Sequence, residues 1–258
     1  MKWMKIEVIT LRNALNERLQ YRFDFVVSFI GIGLAQIVIP LYTLLLYGVS
    51  QGFPGWSLAE AFLLASYVSL AQAITSVFFN GIIWNTVKQV QKGTMDTWLL
   101  APTNPLAYFM NRSVDVEDSG RVIFSLLACI YALHLLSASA STIFFLILYL
   151  VVPIAMFAAI GILASAFSIR YVETFRIYDV IHYVTSVAKY PVSIFPKMIQ
   201  IVLFSALPVA AAGVVPIQVI FQSKELYVLA SALVVFVMLI GAIKYWHYTL
   251  KNYASAGG

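Results

Sequence analysis

Charged residues are scarce in this chain of 258 residues. Asp, Glu, Lys and Arg make up 10% of the sequence, whereas 62% of the residues are hydrophobic and the mean hydropathy is +0.90. A typical soluble domain has a charged fraction of about 25%. The composition therefore excludes a soluble globular protein and indicates a membrane protein. The net charge of +5 then marks cytoplasmic loops rather than a nucleic-acid-binding surface.

The sequence has a single cysteine and none of the common catalytic motifs. The single cysteine, Cys129, lies in an apolar run and is interpreted as an inert buried thiol. The sequence contains no GxxxxGK[ST] phosphate-binding pattern, no HExxH pattern and no CxxC pair. We therefore expect no catalytic residues, no metal site, no directly bound cofactor and no enzymatic activity of the chain itself.

Long stretches without any charge are what the sequence has in abundance. A helix needs about 20 apolar residues to cross a bilayer, and several of these stretches are long enough for one or two crossings. We predict an all-α integral membrane protein with six transmembrane helices in a single domain. The run 122–169 is predicted to be a hairpin of two spans that breaks near 137–141. The charge-free stretches are 25–59, 61–87, 122–169, 198–223 and 226–243.

The first residues have a different pattern. Apolar side chains recur three or four positions apart over residues 3–20, with polar ones largely on other faces, which is typical of a helix that lies in the membrane interface. We predict an interfacial elbow helix over 1–22. Glu7 and Arg12 stand where a signal peptide needs an apolar core, so we expect no signal peptide. Spans at 23–47 and 60–84 follow, and the last span is 226–246.

Basic residues alternate between loops. Five Lys or Arg residues lie in 1–22 and four in 85–121, whereas 48–60 and 135–142 have none. By the positive-inside rule, both termini and the segment 85–121 face the cytoplasm. The protein is thus expected to be a multi-pass protein of the cytoplasmic membrane.

The fifth span has two possible assignments. Plain hydropathy selects 198–220 and leaves 170–197 as a cytoplasmic amphipathic helix. The alternative, which we favour, makes 171–191 the fifth span and 195–216 a re-entrant hairpin before the last span, because prolines and Gly213 would break a continuous helix. Arg176, Asp179 and His182 would then share one face and line a translocation pathway, unless they form a structural cluster near the cytoplasmic surface.

The segment 90–105, VQKGTMDTWLLAPTNP, predicts a short helix between Gly93 and Pro102. Such a helix suits docking into a soluble partner, since preordered helices lose little entropy on binding. A helix that merely rests on the bilayer is the alternative.

Six blocks of sequence are distinctive: YRFDF at 21–25, PGWSLAEAFLL at 54–64, VQKGTMDTWLLAPTNPL at 90–106, YPVSIFPKMIQIVLFSALP at 190–208, VVP at 214–216 and WHYTLKNYASAG at 246–257. They resemble the ABC-2 branch of ATP-binding cassette permeases, in particular its subfamily of six-span exporter permeases. The resemblance implies that 85–112 is a coupling region, with 93–102 as the coupling helix. Ala101 departs from the family pattern, in which an arginine commonly precedes the proline.

The same resemblance implies partners and site residues. Expected partners are the bilayer, a separate cytoplasmic ATPase that binds ATP and Mg, and a second copy or a sibling permease. Tyr190 and Pro191 join the pathway candidates. An ATPase-independent secondary transporter or channel, and a scaffold without transport, are the alternatives. The expected coupling residues are Gly93, Thr94, Asp96, Trp98, Leu99, Leu100, Pro102, Asn104 and Pro105.

Overall fold

The computed structural model describes residues 22–100, 104–111, 117–171, 180, 183–205, 208–222 and 225–253. The regular structure in these ranges is helical, without strands. We number ten α-helices. They are α1 (Arg22–Val49), α2 (Leu58–Gln91), α3 (Met95–Leu99), α4 (Pro105–Asn111), α5 (Ser119–Leu135), α6 (Ala140–Tyr149), α7 (Val151–Arg170), α8 (Lys197–Ser205), α9 (Val214–Gln222) and α10 (Glu225–Lys251).

Four helical segments of the described chain are long and apolar enough to cross a membrane. They are Phe23–Val49, Leu58–Gln91, Ala140–Arg170 (α6 together with α7) and Tyr227–Lys251, and the 17-residue helix α5 is also apolar. These helices coincide with the predicted spans at 23–47, 60–84, 122–169 and 226–246. The protein is therefore a multi-pass membrane protein. The predicted elbow helix 1–22 and most of the predicted span 171–191 lie outside the described residues.

The predicted break within 122–169 is confirmed. Helix α5 ends at Leu135, and Ser137 adopts a positive φ of 48° immediately after it. Ser139 then begins the next helix, because its side-chain oxygen accepts a hydrogen bond from the Thr142 backbone N–H. A serine at the N-cap satisfies a backbone donor that the helix itself leaves unpaired. The small hydroxyl residues thus turn the chain between two apolar helices.

Helices α2, α6–α7 and α10 run in the same direction. The Tyr67 hydroxyl donates to the Leu146 carbonyl near their beginnings, and the Trp246 indole N–H donates to Ser165 near their ends, over distances of 2.9 and 2.8 Å. Tyr149 and Ser231 are likewise hydrogen-bonded. All three therefore finish at one end of the bundle, which we call the basic end. Its basic residues are Lys88, Lys92, Arg170, Lys244 and Lys251.

Helices α1 and α5 run the other way. Ser76 of α2 donates to Asp118, whereas the rings of Phe62 and Tyr131 lie 5.7 Å apart, so α5 is antiparallel to α2. Helix α2 is the centre of the bundle: 72% of its most apolar part is buried inside the protein, against 22% for α1 and 11% for α10. The core thus surrounds α2, while α1 and α10 present apolar side chains outward, as helices in lipid do.

The chain from 187 to 222 is a series of short pieces. Single 3₁₀ turns at Val187–Lys189 and Val192–Ile194 precede α8, and a third at Val209–Ala211 lies between α8 and α9, which have nine residues each. Nine residues of α-helix extend about 14 Å, whereas the hydrocarbon core is about 30 Å thick. The hydropathy assignment of 198–220 as one continuous span is therefore wrong.

These short pieces pack at the end of the bundle opposite the basic end. A Cβ on Gly213 would collide with Leu64 and Val68 of α2 and would lie 3.2 Å from the Ala188 carbonyl, so the backbones approach closely there. The Tyr149 hydroxyl donates to the Ala211 carbonyl over 3.0 Å. Ala211 and Gly213 are thus held against the first halves of α6–α7 and α2, with Ala188 beside Gly213.

Candidate coupling site at the basic end

Helix α2 ends in a tight glycine turn. Gly93 has a positive φ of 63°, its N–H donates to the Val90 carbonyl, and the Thr94 N–H donates to the Gln89 carbonyl. This pair of hydrogen bonds is the Schellman arrangement, in which a glycine takes the left-handed conformation that a side chain would make costly. The predicted role of Gly93 as a helix stop is confirmed.

Helix α3 follows at once and has one face buried and one exposed. The Met95 side chain is fully buried, and Trp98 and Leu99 are half-buried. On the other side, Leu100 is 82% exposed at the end of the helix, and Asp96 and Thr97 are exposed as well. The helix is thus fixed inward by Met95 and presents a small outward ledge, which we define as Asp96, Thr97 and Leu100.

A second short helix, α4, supports the first. Asn104 caps it: the amide oxygen accepts from the Leu106 N–H over 3.0 Å, and Pro105 occupies the first helical position. Asparagine at the cap followed by proline suits a helix start, because proline lacks the N–H that the first turn leaves unpaired anyway. Leu106 and Phe109 of α4 are buried. The region thus contains α3, which lies within the expected 93–102, and a second short helix that was not predicted. Residues 101–103, which include Pro102, lie outside the described residues.

An aromatic cluster joins these short helices to the membrane bundle. The Trp98 and Phe109 rings lie 4.9 Å apart, and the Phe109 and Trp246 rings lie 6.1 Å apart. Trp246 of α10 is fully buried and donates its indole N–H to Ser165 of α7, whose hydroxyl lies 3.2 Å from that of Thr86 in α2. Packed aromatic rings and buried hydrogen bonds form a rigid connection. Helix α3 is therefore connected through Phe109 to side chains of three long helices.

The pathway candidates are not gathered into a described site. Arg176, Asp179 and His182 lie outside the described residues. Pro191 is buried, and the Tyr190 ring contacts the Phe53 ring edge-on, with centroids 6.3 Å apart. Tyr190 therefore lies beside the loop between α1 and α2, far from the basic end.

Sequence reasoning did not identify Thr86, Ser165, Phe109 and Trp246 as part of this site. Thr86 and Ser165 are single hydroxyl residues in apolar runs, and Trp246 begins the C-terminal block of the family resemblance. Their proximity comes from contacts across 79 and 81 positions of sequence, which no local pattern reveals.

Together these observations define a multi-pass helical membrane protein with a short helix held firmly at its basic end. A profile of the ABC-2 family transporter proteins matches residues 34–257, and the chain belongs to that family. Comparisons with curated proteins and with solved structures gave no match. Family membership makes the chain a membrane component of transport rather than an enzyme by itself.

Proposed function

We propose that the chain is the permease subunit of an ABC exporter of the cytoplasmic membrane, driven by a separate cytoplasmic ATPase subunit that holds ATP and Mg. The observation that carries this proposal is the ledge on α3, an exposed leucine on a helix whose opposite face is locked into the bundle. An exposed apolar side chain on a preordered helix is suited to a protein groove. The aromatic cluster behind it supplies the route by which ATPase closure moves the transmembrane helices.

The orientation follows from charge. The basic residues at the ends of α2, α7 and α10 gather where α3 lies, whereas the loops at 50–57 and 136–139 have none, and Lys189 and Lys197 lie among the short pieces at the other end. Positive residues favour the cytoplasmic side, so the ledge faces the compartment that contains ATP. The same rule places both termini in the cytoplasm.

The directions of the helices support a total of six crossings, with one more crossing between α7 and α10. Helix α7 ends at the basic end, and α10, which runs parallel to it, begins at the opposite end. The chain between them must therefore cross the bundle an odd number of times. Because Tyr190 already contacts Phe53 at the opposite end, we assign the crossing to 171–191.

The remainder of that connection is proposed as the re-entrant hairpin at 195–216. Its described pieces are short, and Ala211 and Gly213 pack on α6–α7 and α2. Broken backbone at membrane depth is tolerated where protein covers it. A second copy or a sibling permease would complete the transporter, since permeases of this design work in pairs around one pathway.

The test uses charge substitutions at two exposed apolar residues. Leu100→Asp places a carboxylate on the ledge, and Val49→Asp places one at the opposite end, where Val49 is 91% exposed. The tagged full-length chain is purified from native membranes and reconstituted, and the copurified ATPase activity is measured. We expect Leu100→Asp to lower ATPase association by at least about tenfold, because the docking groove must bury a charge. Val49→Asp should behave like the wild type.

Three results would contradict the proposal in different ways. Equal ATPase association of both variants and the wild type would show that the ledge is not the docking surface. Transport by the purified wild-type chain without any ATPase would favour a secondary transporter or channel. If the purified chain neither transports nor copurifies with an ATPase, the result would favour a membrane scaffold without transport.

A further inference from the structure

One side of α10 faces away from the bundle along its length. Exposed aliphatic side chains recur there every three or four residues, so they share one stripe of the helix, which we call the outer stripe. The opposite side is buried and includes Trp246, which donates to Ser165 of α7. An aliphatic surface of this kind suits contact with lipid acyl chains. The stripe begins with Leu229, Leu233, Val237 and Ile240, which are between 54% and 70% exposed.

The outer stripe changes in character towards the basic end. Lys244, Tyr248 and Lys251 follow Ile240 at spacings of four, four and three residues, so they continue the same stripe, and all three are exposed. Tyrosine is enriched where a span leaves the hydrocarbon, and lysine extends its ammonium towards the headgroups. The outer stripe thus passes from aliphatic side chains to cationic and aromatic ones.

The length of α10 places these residues at the surface of the membrane. Tyr227 and Tyr248 are both exposed and lie 21 positions apart, which corresponds to about 32 Å of α-helix. The hydrocarbon core is about 30 Å thick, so the two rings fit its two boundaries. Lys251 lies one turn beyond Tyr248, and Lys244 lies one turn before it, from where its long side chain reaches the headgroups. Both ammonium groups therefore lie at the level of lipid phosphates.

The Tyr248 ring between the two lysines is held in place by its neighbours. It stacks on the Tyr245 ring, with centroids 6.5 Å apart, and the Tyr245 ring contacts Phe167 of α7 over 5.7 Å. A side chain that is already ordered loses little entropy when a ligand packs against it. The headgroup end of the outer stripe is therefore preorganised for binding.

The charges favour lipid over a second copy of the chain as the occupant of the outer stripe. Two copies in one membrane would be related by a two-fold axis along the membrane normal. If their outer stripes met, Lys244 and Lys251 of each copy would lie at the same level as those of the other, and like charges opposed in an interface are costly. An anionic phospholipid instead matches both parts of the stripe, because it has apolar chains and a negative headgroup.

We propose that the outer stripe is a binding surface for anionic phospholipids. The acyl chains lie along the aliphatic part between Leu229 and Ile240, and the phosphate accepts hydrogen bonds from the ammonium groups of Lys244 and Lys251. The positive-inside rule accounts for the number of basic residues near the end of a span, but not for their position on its lipid-facing stripe. The inference concerns lipid binding and stands whether or not an ATPase drives transport.

The test uses the full-length chain in nanodiscs of mixed phosphatidylcholine and phosphatidylglycerol. After release into a neutral detergent, native mass spectrometry gives the ratio of the two lipids that stay bound and the number of protein copies. We expect the wild type to retain phosphatidylglycerol well above its share of the nanodisc. Retention of the two lipids in proportion to the nanodisc composition overturns the proposal.

The decisive variant combines Lys244→Gln and Lys251→Gln. We expect its ratio of phosphatidylglycerol to phosphatidylcholine to fall at least about fivefold, because each lysine near an anionic surface contributes about that factor. Lys244→Arg with Lys251→Arg keeps both charges and should retain the wild-type ratio. Lys88→Gln with Lys92→Gln removes the same charge from the end of the central helix α2 and should leave the ratio nearly unchanged.

Four results overturn the proposal. The ratio could stay unchanged in the Lys244→Gln and Lys251→Gln variant, or it could fall equally in the Lys88→Gln and Lys92→Gln control, which would show a general effect of charge. A change in the number of copies would assign the outer stripe to an interface between copies. A glutamine variant that fails to fold would show that the two lysines are structural.

Discussion

At Gly120 the first turn of α5 lies directly against the backbone of α1. A Cβ at this position would collide with the Phe29 carbonyl oxygen, and one on Gly33 would collide with the Phe124 ring. Backbone atoms cannot rotate away as a flexible side chain can, so Gly120 is the stricter of the two requirements. Small residues at such crossings let membrane helices approach closely, and van der Waals packing then holds them together.

We expect Gly120→Ala to lower the stability of the protein. The added methyl group forces α1 and α5 apart, and overpacking of this kind costs about 1–3 kcal/mol. For a chain of this size, that corresponds to a fall of about 2–12 °C in the midpoint of thermal unfolding, measured by intrinsic fluorescence in detergent. Gly31→Ala is the matched control, because nothing lies within 4 Å of its Cβ position. Equal unfolding midpoints for Gly120→Ala and Gly31→Ala would show that α1 and α5 are not in close contact at Gly120.

A second expectation at this scale concerns the buried indole of Trp246. Trp246→Phe keeps an aromatic ring beside Phe109 but removes the N–H that donates to Ser165. Losing a buried hydrogen bond costs about 1–3 kcal/mol, so the variant should melt at a lower temperature. Trp56→Phe, in the loop at the opposite end, should leave the melting temperature nearly unchanged, because the described structure gives its indole no hydrogen bond. If Trp246→Phe melts at the wild-type temperature, the hydrogen bond to Ser165 does not stabilise the fold.

Among the elements, α4 depends on its cap. Asn104 accepts from the Leu106 N–H, and the buried Leu106 and Phe109 then fix the helix beneath α3. Asn104→Ala should destabilise the helix start by about 1 kcal/mol, which speeds amide exchange of Leu106 and its neighbours by about fivefold. Asn104→Asp retains an acceptor oxygen and should exchange at nearly the wild-type rate. Hydrogen exchange followed by mass spectrometry checks both, and unchanged exchange in Asn104→Ala would show that the cap contributes nothing.

The elements that the sequence predicts well are those set by local chemistry. The long apolar runs form α1, α2 and α10. Gly93 ends α2, and the hydroxyl residues near 137–141 lie at the break between α5 and α6. The directions of side chains on α3 were not predictable in this way. A helix of five residues has too few positions to show a periodicity, so Met95 and Leu100 look equally apolar in sequence although one is buried and the other exposed.

The candidate site was predictable only in part for a related reason. Its segment is marked by a glycine, prolines and charge, which are local signals. The residues that anchor it lie on α7 and α10, and their proximity depends on how the long helices pack.

For the whole molecule, the parallel directions of α7 and α10 predict which side of the membrane each loop faces. In a Cys129→Ala background, cysteines are placed singly at Gln51, Thr97 and Ser193, which are all exposed. An impermeant maleimide added to intact cells should label Gln51→Cys and Ser193→Cys, whereas Thr97→Cys should react only after permeabilisation. Ser193→Cys that reacts only after permeabilisation would remove the proposed crossing at 171–191. Labelling of Thr97→Cys in intact cells would reverse the orientation.

The central position of α2 has a consequence for biosynthesis. Its half-buried polar residues Gln72 and Ser76 bond to Thr185 and to Asp118, which leave the ribosome later. While α2 waits in the bilayer, these groups have no protein partner, and unsatisfied polar groups in hydrocarbon are costly. We therefore expect the newly inserted α1–α2 hairpin to be a vulnerable intermediate until roughly a hundred further residues have been translated.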